Sequence, residues 1–276
     1  MSALFKVNLE LIKNAKPYCD QEIDRLISRH YILRYALGLL STPIRDLIEE
    51  NNLNVFDCGC GPATWLLELA TNYRHCSFTG IDISPVFPQT IKPQNLTIDL
   101  HDALKGLPFD NFFDVVHQSF WVTVLSKDEW NFLVRELVRI LKPGGYIELI
   151  ELNISVNNSG QVTRYLNNAL TAYYKSKKIN TIVIDELEDY LEDTLKVEIY
   201  EKEVKMIPIG WNGPVGELAL YDLISGYEIA KPYLSEFMGI LPNQYDHLVE
   251  LARKEVVARK STFSIYRYVA RKCDFF

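Results

Sequence analysis

The sequence has few of the residues on which metal and disulfide sites depend. It contains five cysteines and five histidines in 276 residues. Cys58 and Cys60 stand close together, but no second cysteine pair follows to complete a zinc site. The histidines are scattered, without a His-x-x-x-His pair. We therefore expect reduced thiols in an intracellular protein, and no bound metal.

Long apolar runs and an excess of basic residues are also absent. No hydrophobic stretch has the length of a transmembrane helix, and residues 1–6 lack a signal-peptide pattern. The formal net charge is -7, which is not the basic footprint of a dedicated nucleic-acid binder. These absences predict a cytoplasmic protein without a nucleic-acid or membrane partner. Nuclear entry, a protein partner and the oligomeric state are left open.

What the sequence does contain is a regular alternation of strand and helix patterns. Hydrophobic residues make up 48% of the chain, which is enough for a large core. The alternation predicts an α/β fold with a doubly wound, mostly parallel seven-stranded sheet. The predicted strands are Val55–Cys58, Ser77–Ile83, Leu96–Leu100, Phe113–Gln118, Tyr146–Leu152, Val197–Ile207 and Thr262–Lys272.

Helical patterns predict an N-terminal layer and a cap before the last strand. Asp20 and Thr42 are suitable N-caps for two early helices, and Ser126 with Glu129 forms a capping box for a later one. A further helix is predicted over Asp185–Leu195. We predict one domain over 1–276. Its parts are N-terminal helices in 1–52, a core in 53–153 and a C-terminal half in 154–276 with a helical cap at 209–258.

A glycine turn follows the first predicted strand and reads Asp57-Cys58-Gly59-Cys60-Gly61-Pro62-Ala63-Thr64. Glycines let the backbone approach a ligand closely, and the helix that follows points unpaired N–H groups at it. The turn therefore predicts a nucleotide-type site. A nicotinamide dinucleotide fingerprint would need a third glycine where Thr64 stands, which disfavours an oxidoreductase.

Four motifs together resemble the class I S-adenosylmethionine-dependent methyltransferases. The turn matches the family's acid-x-Gly-x-Gly-x-Gly motif except for Ala63 at its third glycine. The other three motifs are Gly80-Ile81-Asp82-Ile83, His101-Asp102-Ala103 and Leu141-Lys142-Pro143-Gly144-Gly145-Tyr146. The resemblance implies the seven-stranded methyltransferase fold and S-adenosylmethionine as cofactor.

The same resemblance implies roles for particular residues. Asp57 would contact the methionine amino group of the cofactor, and Asp82 both ribose hydroxyls. Asp102 would accept the adenine amino group; Asp99, on the same strand, is the alternative. Gln118 would contact the methionine moiety or the acceptor, with a buried structural amide as the alternative. The implied cofactor-binding set is Asp57, Gly59, Cys60, Gly61, Asp82, Ile83, Asp102, Ala103 and Gln118.

A narrower resemblance, to the fungal LaeA-like group of methyltransferases, covers nearly the whole chain. It rests on Glu22-Ile23-Asp24-Arg25-Leu26, residues 80–88, Gly106-Leu107-Pro108-Phe109, Val116-His117-Gln118 and Trp211-x-Gly-x-x-Gly-Glu217. We expect methyl transfer to a small-molecule acceptor, with oxygen as the favoured atom. The alternatives are a protein methyltransferase and a regulatory protein that keeps the fold without efficient turnover.

The catalytic base is not identified by the sequence. His30, Tyr31 and Gln118 are candidates, and Tyr31, Trp121 and Trp211 are candidates for acceptor binding. Arg34 lies one turn beyond His30 and could reach the cofactor carboxylate. Ordinary packing is the competing interpretation for each of these residues, and it is the favoured one for His117 and for Trp65, Trp121 and Trp211.

Overall fold

The computed structural model describes residues 20–274, and its centre is a seven-stranded sheet. Residues 1–19 and 275–276 lie outside the described range, and with them Cys19 and part of the predicted N-terminal layer. The strands are β1 (Asn54–Cys58), β2 (Ser77–Asp82), β3 (Leu96–Leu100), β4 (Phe113–Ser119), β5 (Leu141–Leu152), β6 (Val197–Pro208) and β7 (Thr262–Lys272). Their order is β3-β2-β1-β4-β5-β7-β6, and β7 is antiparallel to both of its neighbours. The predicted fold class is confirmed.

Helices cover both faces of this sheet. They are α1 (Asp20–Leu37), α2 (Thr42–Glu50), α3 (Thr64–Asn72), α4 (Lys127–Ile140), α5 (Gln161–Ser176), α6 (Leu187–Glu192), α7 (Pro214–Met238) and α8 (Pro242–Ala258). Short 3-10 turns lie at Ala103–Lys105 and Val183–Asp185. Helices α7 and α8 form the predicted cap between β6 and β7. In the described part of the chain, no helix is long and apolar enough to cross a membrane.

Three local features differ from the sequence prediction, and one end of each of β1, β2, β4 and β6 differs by a single residue. Ser41, in extended conformation, precedes α2, so Thr42 is not the N-cap. β5 begins at Leu141 instead of Tyr146, because Leu141 already pairs with Phe113 of β4. The helix predicted to begin at Asp185 is shortened to α6. The capping box is confirmed, with the Ser126 and Glu129 side chains each bonded to the other residue's backbone N–H.

Consecutive residues of β1 show why two helical layers form. Phe56 packs with the α4 residues Trp130 and Leu137 on one face, and all three are fully buried. Val55, on the opposite face, packs with Ile48 of α2 and with residues of α3. Side chains alternate across a strand, so a strand that is apolar on both faces needs cover on both sides. Both faces of β1 are therefore covered, which favours ligand binding at the carboxyl ends of the strands.

Candidate functional site

A cavity of about 460 Å³ lies at the carboxyl ends of β1, β2 and β4, beneath α1 and α7. The strand order reverses direction between β1 and β4, and such switch points are where open α/β sheets bind ligands. We call one end of this cavity the cofactor end. It is lined by residues that the sequence predicted to bind the cofactor: Asp57, Gly59, Cys60, Gly61, Asp82, Ile83, Asp102 and Ala103.

Gly59 holds the first turn of the cofactor end. Its φ is +73°, and its backbone N–H donates to the Ile81 carbonyl at 2.8 Å. A Cβ at this position would lie 2.4 Å from the ring of Trp121. Gly59 is therefore required both by its backbone conformation and by the indole packed on it. This contact also places Trp121, a predicted acceptor-binding residue, against the turn.

Ala63 replaces the third glycine of the motif, and it has a left-handed conformation with φ 61° and ψ 24°. Its N–H donates to the Cys60 carbonyl at 2.9 Å, which closes the turn before α3. Alanine in this region costs roughly 1–2 kcal/mol that glycine would not. The structure thus explains why the family motif has glycine at this position and shows that this chain keeps the same turn with alanine.

Asp82 ends β2 with its carboxylate turned toward the glycine turn. One oxygen accepts the Gly61 N–H at 2.8 Å and the other accepts the Ser84 N–H at 2.8 Å. Burial raises the pKa of Asp82, although both N–H groups favour its ionised form. Each oxygen has a further lone pair, so the carboxylate can still accept two hydroxyl donors from a ligand.

Asp102 lies beyond β3 and caps a 3-10 turn. Its carboxylate accepts the Leu104 N–H at 3.1 Å. Asp99, the alternative considered for this role, is exposed and is not among the residues that line the cavity. The geometry therefore agrees with Asp102 as the acid that faces the site.

Asp57 and His117 form a buried pair that the sequence did not reveal. They occupy paired positions on β1 and β4, and Nδ1 of His117 lies 2.8 Å from the Asp57 carboxylate. The imidazole stacks on Trp65, with ring centroids 4.1 Å apart. Burial opposes protonation of His117, but Asp57 and then Glu148 outweigh it, so the pKa of His117 is raised. Packing was predicted for His117; the structure places it in the cavity wall as well.

His30 and Tyr31 are adjacent on α1 and have different environments. His30 lines the cavity, and its Nε2 lies 3.0 Å from the Glu68 carboxylate of α3. Burial lowers the pKa of His30 despite this acid. Arg34 binds the other Glu68 oxygen at 2.8 Å. Tyr31 is 49% exposed and lies outside the cavity lining, because neighbouring positions on a helix face different directions.

Gln118 is fully buried in a network beside the cavity, and it does not line the cavity itself. Its amide donates to Glu151 of β5 at 2.8 Å. Glu151 also accepts the backbone N–H groups of Trp121, at 2.7 Å, and Val122, at 3.0 Å. Burial raises the pKa of Glu151 to about 7, against the effect of these donors. Gln118 therefore affects the cavity only indirectly, because it binds Glu151, which in turn holds the loop that carries Trp121.

The opposite end of the cavity, which we call the far chamber, is built mainly by helices α1, α5 and α7. It is lined by Glu22, Arg25, Arg29, Phe120, Ile154, Leu170, Tyr174, Asp222, Leu223, Tyr227 and Tyr233. Nη1 of Arg25 donates to Asp222 at 3.0 Å, and Arg29 makes two bonds to the same carboxylate. Burial would raise the pKa of Asp222, but the two guanidinium groups hold it below its usual value.

Trp211 lies away from both ends of the cavity. Its indole N–H donates to the Ser261 carbonyl at 2.8 Å, and the residue is not among those lining the cavity. This bond joins the start of the cap to the residue before β7. The prediction that Trp211 binds the acceptor has no support in this geometry.

Comparison with known proteins identifies this arrangement. A family model described as a methyltransferase domain matches residues 55–145. The N-methyltransferase tcpN of Claviceps purpurea is 31% identical over 208 residues, covering 69% of this chain and 71% of that protein. The chain belongs to the class I S-adenosylmethionine-dependent methyltransferases. It is an enzyme of that class, and S-adenosylmethionine is its cofactor.

Two further similarities extend this picture of the methyltransferase. The secondary metabolism regulator laeA of Coprinopsis cinerea is 32% identical over 145 residues, covering 51% of this chain and 36% of that protein. The solved phosphoethanolamine N-methyltransferase 2 of Haemonchus contortus shares the fold, with a TM-score of 0.54 and 16% identity. That match covers 95% of this chain and 59% of the solved one. The predicted resemblance to the LaeA-like group is confirmed.

The cofactor end fits S-adenosylmethionine chemically. Gly59 and Gly61 add no side chains of their own to the turn, and Asp82 retains acceptor capacity for two ribose hydroxyls. Asp102 remains the predicted partner of the adenine amino group. The buried pair of Asp57 and His117 is in the same wall, where the methionine amino group is predicted.

The sequence carried weak signals for the residues that were missed. Glu151 and His117 are polar residues in otherwise apolar strands, and buried polar groups need partners. The partner of His117 is at the paired position on β1, whereas Gln118, the partner of Glu151, is paired with Leu149, two residues away on the same face. The contacts of Arg25 and Arg29 with Asp222 had no such signal, because they join α1 to α7 across most of the chain.

Proposed function

We propose that this methyltransferase transfers the methyl group to a nitrogen atom of a small molecule. The observation that carries the proposal is that the acids of the far chamber are already paired with arginines. Asp222 is bound by Arg25 and Arg29, and Glu22, beside them in the cavity wall, is bound by Arg25. Both carboxylates are therefore committed to arginine.

The chemistry of the acceptor connects this observation to nitrogen. When bound, the cofactor supplies an activated methyl group. A hydroxyl is a weak nucleophile unless a base takes its proton, whereas a neutral amine attacks through its lone pair. The carboxylates bound to arginine are poor bases, and burial raises the pKa of Tyr174, Tyr227 and Tyr233, which keeps these hydroxyls protonated. The chamber therefore suits an acceptor that needs little help with its proton.

The names of relatives support the same atom. The tcpN protein is called an N-methyltransferase, and its match with this chain covers 71% of its length. From the sequence alone, oxygen was the favoured atom. We prefer nitrogen because this name and the committed carboxylates agree.

The contribution of the protein is orientation and exclusion of water. Glu151 fixes the loop with Phe120 and Trp121, which lies between the two ends of the cavity. Gly59 packs on Trp121, and the guanidinium carbon of Arg29 lies 4.7 Å from the Phe120 ring centroid. Fixed alignment of two reactants supplies a large part of the rate enhancement in such transfers.

A labelling experiment tests the proposal. Purified protein, S-adenosylmethionine with an isotope-labelled methyl group, and the low-molecular-mass fraction of a fungal culture are incubated together. We expect label in a small molecule, with the NMR shift of an N-methyl carbon. The Asp82→Asn variant, impaired in the cofactor site, should give little label. An O-methyl product would contradict the nitrogen assignment.

The same assay separates the alternatives. Cover by α1 and α7 favours a small acceptor over a protein segment, and label confined to protein in a whole extract would reverse that preference. Normal cofactor binding without transfer in any extract would favour the regulatory alternative, which the similarity to laeA motivates. We also propose a cytoplasmic location; a nuclear signal from the tagged protein would contradict it.

A further inference from the structure

The charged residues of the far chamber balance one another. Arg25 donates to Glu22 through Nε at 2.7 Å and to Asp222 through Nη1 at 3.0 Å. Arg29 donates to Asp222 through Nε at 3.2 Å and Nη2 at 3.0 Å. Two cations therefore face two anions. Asp222 is central to this cluster, because it is buried and contacts both arginines.

The rest of the chamber wall consists of four aromatic and three aliphatic side chains, and the hydroxyl groups of its tyrosines are engaged. The Tyr227 hydroxyl donates to the side chain of Asn167, and the hydroxyls of Tyr174 and Tyr233 are bonded to each other. Phe120 presents one face to Arg29. Rings in such a wall pack favourably against another ring, by edge or by offset face.

We infer that the far chamber selects an uncharged acceptor with an aromatic ring, and that Asp222 sets this selectivity by neutralising Arg25 and Arg29. The inference rests on the proposed function, in which this chamber holds the acceptor. A carboxylate on the acceptor would have to compete with Asp222 for the arginines. An ammonium group would find both acids already bound. Either charge would lose its water without gaining a partner, which is costly.

Three probes with the same ring test the charge preference. They are 3-methylindole, which is neutral, indole-3-acetate, which is anionic, and tryptamine, which is cationic. Their dissociation constants are measured by calorimetry on protein saturated with S-adenosylhomocysteine. We expect 3-methylindole to bind about tenfold more tightly than either charged probe. Equal or tighter binding of a charged probe, or no binding of any probe, would overturn the inference.

The Asp222→Asn variant tests the assigned cause. Without this carboxylate, the two guanidinium groups exceed the remaining acid, Glu22, by one charge. We therefore expect indole-3-acetate to bind this variant more tightly than 3-methylindole, in reverse of the parent protein. An unchanged order of affinities in the folded variant would contradict the role of Asp222.

A second variant covers the case in which Asp222→Asn fails to fold. Glu22 is more accessible, with 21% of its side chain exposed. Glu22→Gln should move the preference toward indole-3-acetate by a smaller factor, about threefold. The matched control is Glu228→Gln on α7, an exposed acid bonded to Gln21 of α1, which should change nothing. An equal response of the Glu22 and Glu228 variants would contradict the inference.

Binding of S-adenosylhomocysteine is measured on every variant before the probes are added. Failure of the parent protein to bind it would count against the function proposed above. Normal binding together with the wrong order of probes would refute only the selectivity inferred for the far chamber.

Discussion

The two ends of the cavity are built in different ways. The cofactor end is mainly a main-chain construction, in which Gly59, Gly61 and Ala63 have left-handed backbones and Asp82 accepts two backbone N–H groups. The far chamber is a side-chain construction, in which Arg25 and Arg29 of α1 meet Asp222 of α7. A main-chain site is constrained by turn geometry and changes little with sequence. A side-chain site can change its ligand through single substitutions while the fold stays the same.

Glu151 holds the loop that lies between the two ends of the cavity. Of the substitutions considered, its removal should cause the largest loss of stability. Glu151→Ala leaves buried donors of Gln118, Trp121 and Val122 without an acceptor. We expect the free energy of unfolding to fall by about 4 kcal/mol in chemical denaturation. The control is Glu198→Ala, an exposed acid on β6, which should change it by less than about 0.5 kcal/mol. A similar small loss for both variants would contradict the role of Glu151.

Gly59 tests the main-chain end directly. In Gly59→Ala the new Cβ meets the Trp121 ring in a backbone at φ +73°, so strain and overpacking add. We expect a loss of about 3 kcal/mol in stability, and weaker binding of S-adenosylhomocysteine. Gly239→Ala has a similar φ, +66°, but no atom within 4 Å of its new Cβ. It should lose only about 1 kcal/mol, and equal losses would show that the Trp121 contact is unimportant.

Asp82 tests whether the cofactor end depends on its acids. Asp82→Asn replaces an acceptor for two N–H groups with an amide that accepts through one oxygen. We expect about 30-fold weaker binding of S-adenosylhomocysteine by calorimetry, which corresponds to about 2 kcal/mol. Asp99→Asn, an exposed acid outside the cavity lining, is the matched control and should bind normally. Unaltered affinity of the Asp82 variant would show that the ribose site is wrongly assigned.

His30 and Tyr31 sharpen the boundary between the cavity and the solvent face of α1. His30→Gln removes a cavity-lining imidazole that contacts Glu68, and we expect about fivefold weaker binding of S-adenosylhomocysteine. Tyr31→Phe alters a half-exposed residue and should change affinity by less than twofold, about the scatter of surface substitutions. The reverse order in a titration followed by fluorescence would contradict the placement of His30, and not Tyr31, in the cavity wall.

The difference between the two ends also explains what the sequence could predict. The glycine turn, Asp82 and Asp102 fall within about fifty residues, each after a strand whose apolar pattern is clear, and parallel strands bring their ends together. The structure places these residues at one end of the cavity. Helical periodicity identified an apolar face on α1 but did not identify the residues that face the cavity; it included both His30 and Tyr31 among the candidates.

The far chamber could not be predicted for a physical reason. Its selectivity depends on pairing between α1 and α7, and no local pattern reports which charged residues of two distant helices meet. Gln118 illustrates a smaller failure. The end of β4 was predicted at Gln118, one residue before its end at Ser119. Alternation directs Gln118 to Glu151 on the other face, while His117 faces the cavity.

The pairing of α1 with α7 also sets an order of events during synthesis. Arg25 precedes Asp222 by 197 residues, so α1 leaves the ribosome long before its partner helix exists. The strands that carry the glycine turn and Asp82 emerge in between, whereas β7, the neighbour of β5, emerges last of all. Two arginines must therefore remain in water until the last quarter of the chain appears. The chamber inferred to hold the acceptor is therefore completed later than the cofactor end, with α8 and β7 still to follow.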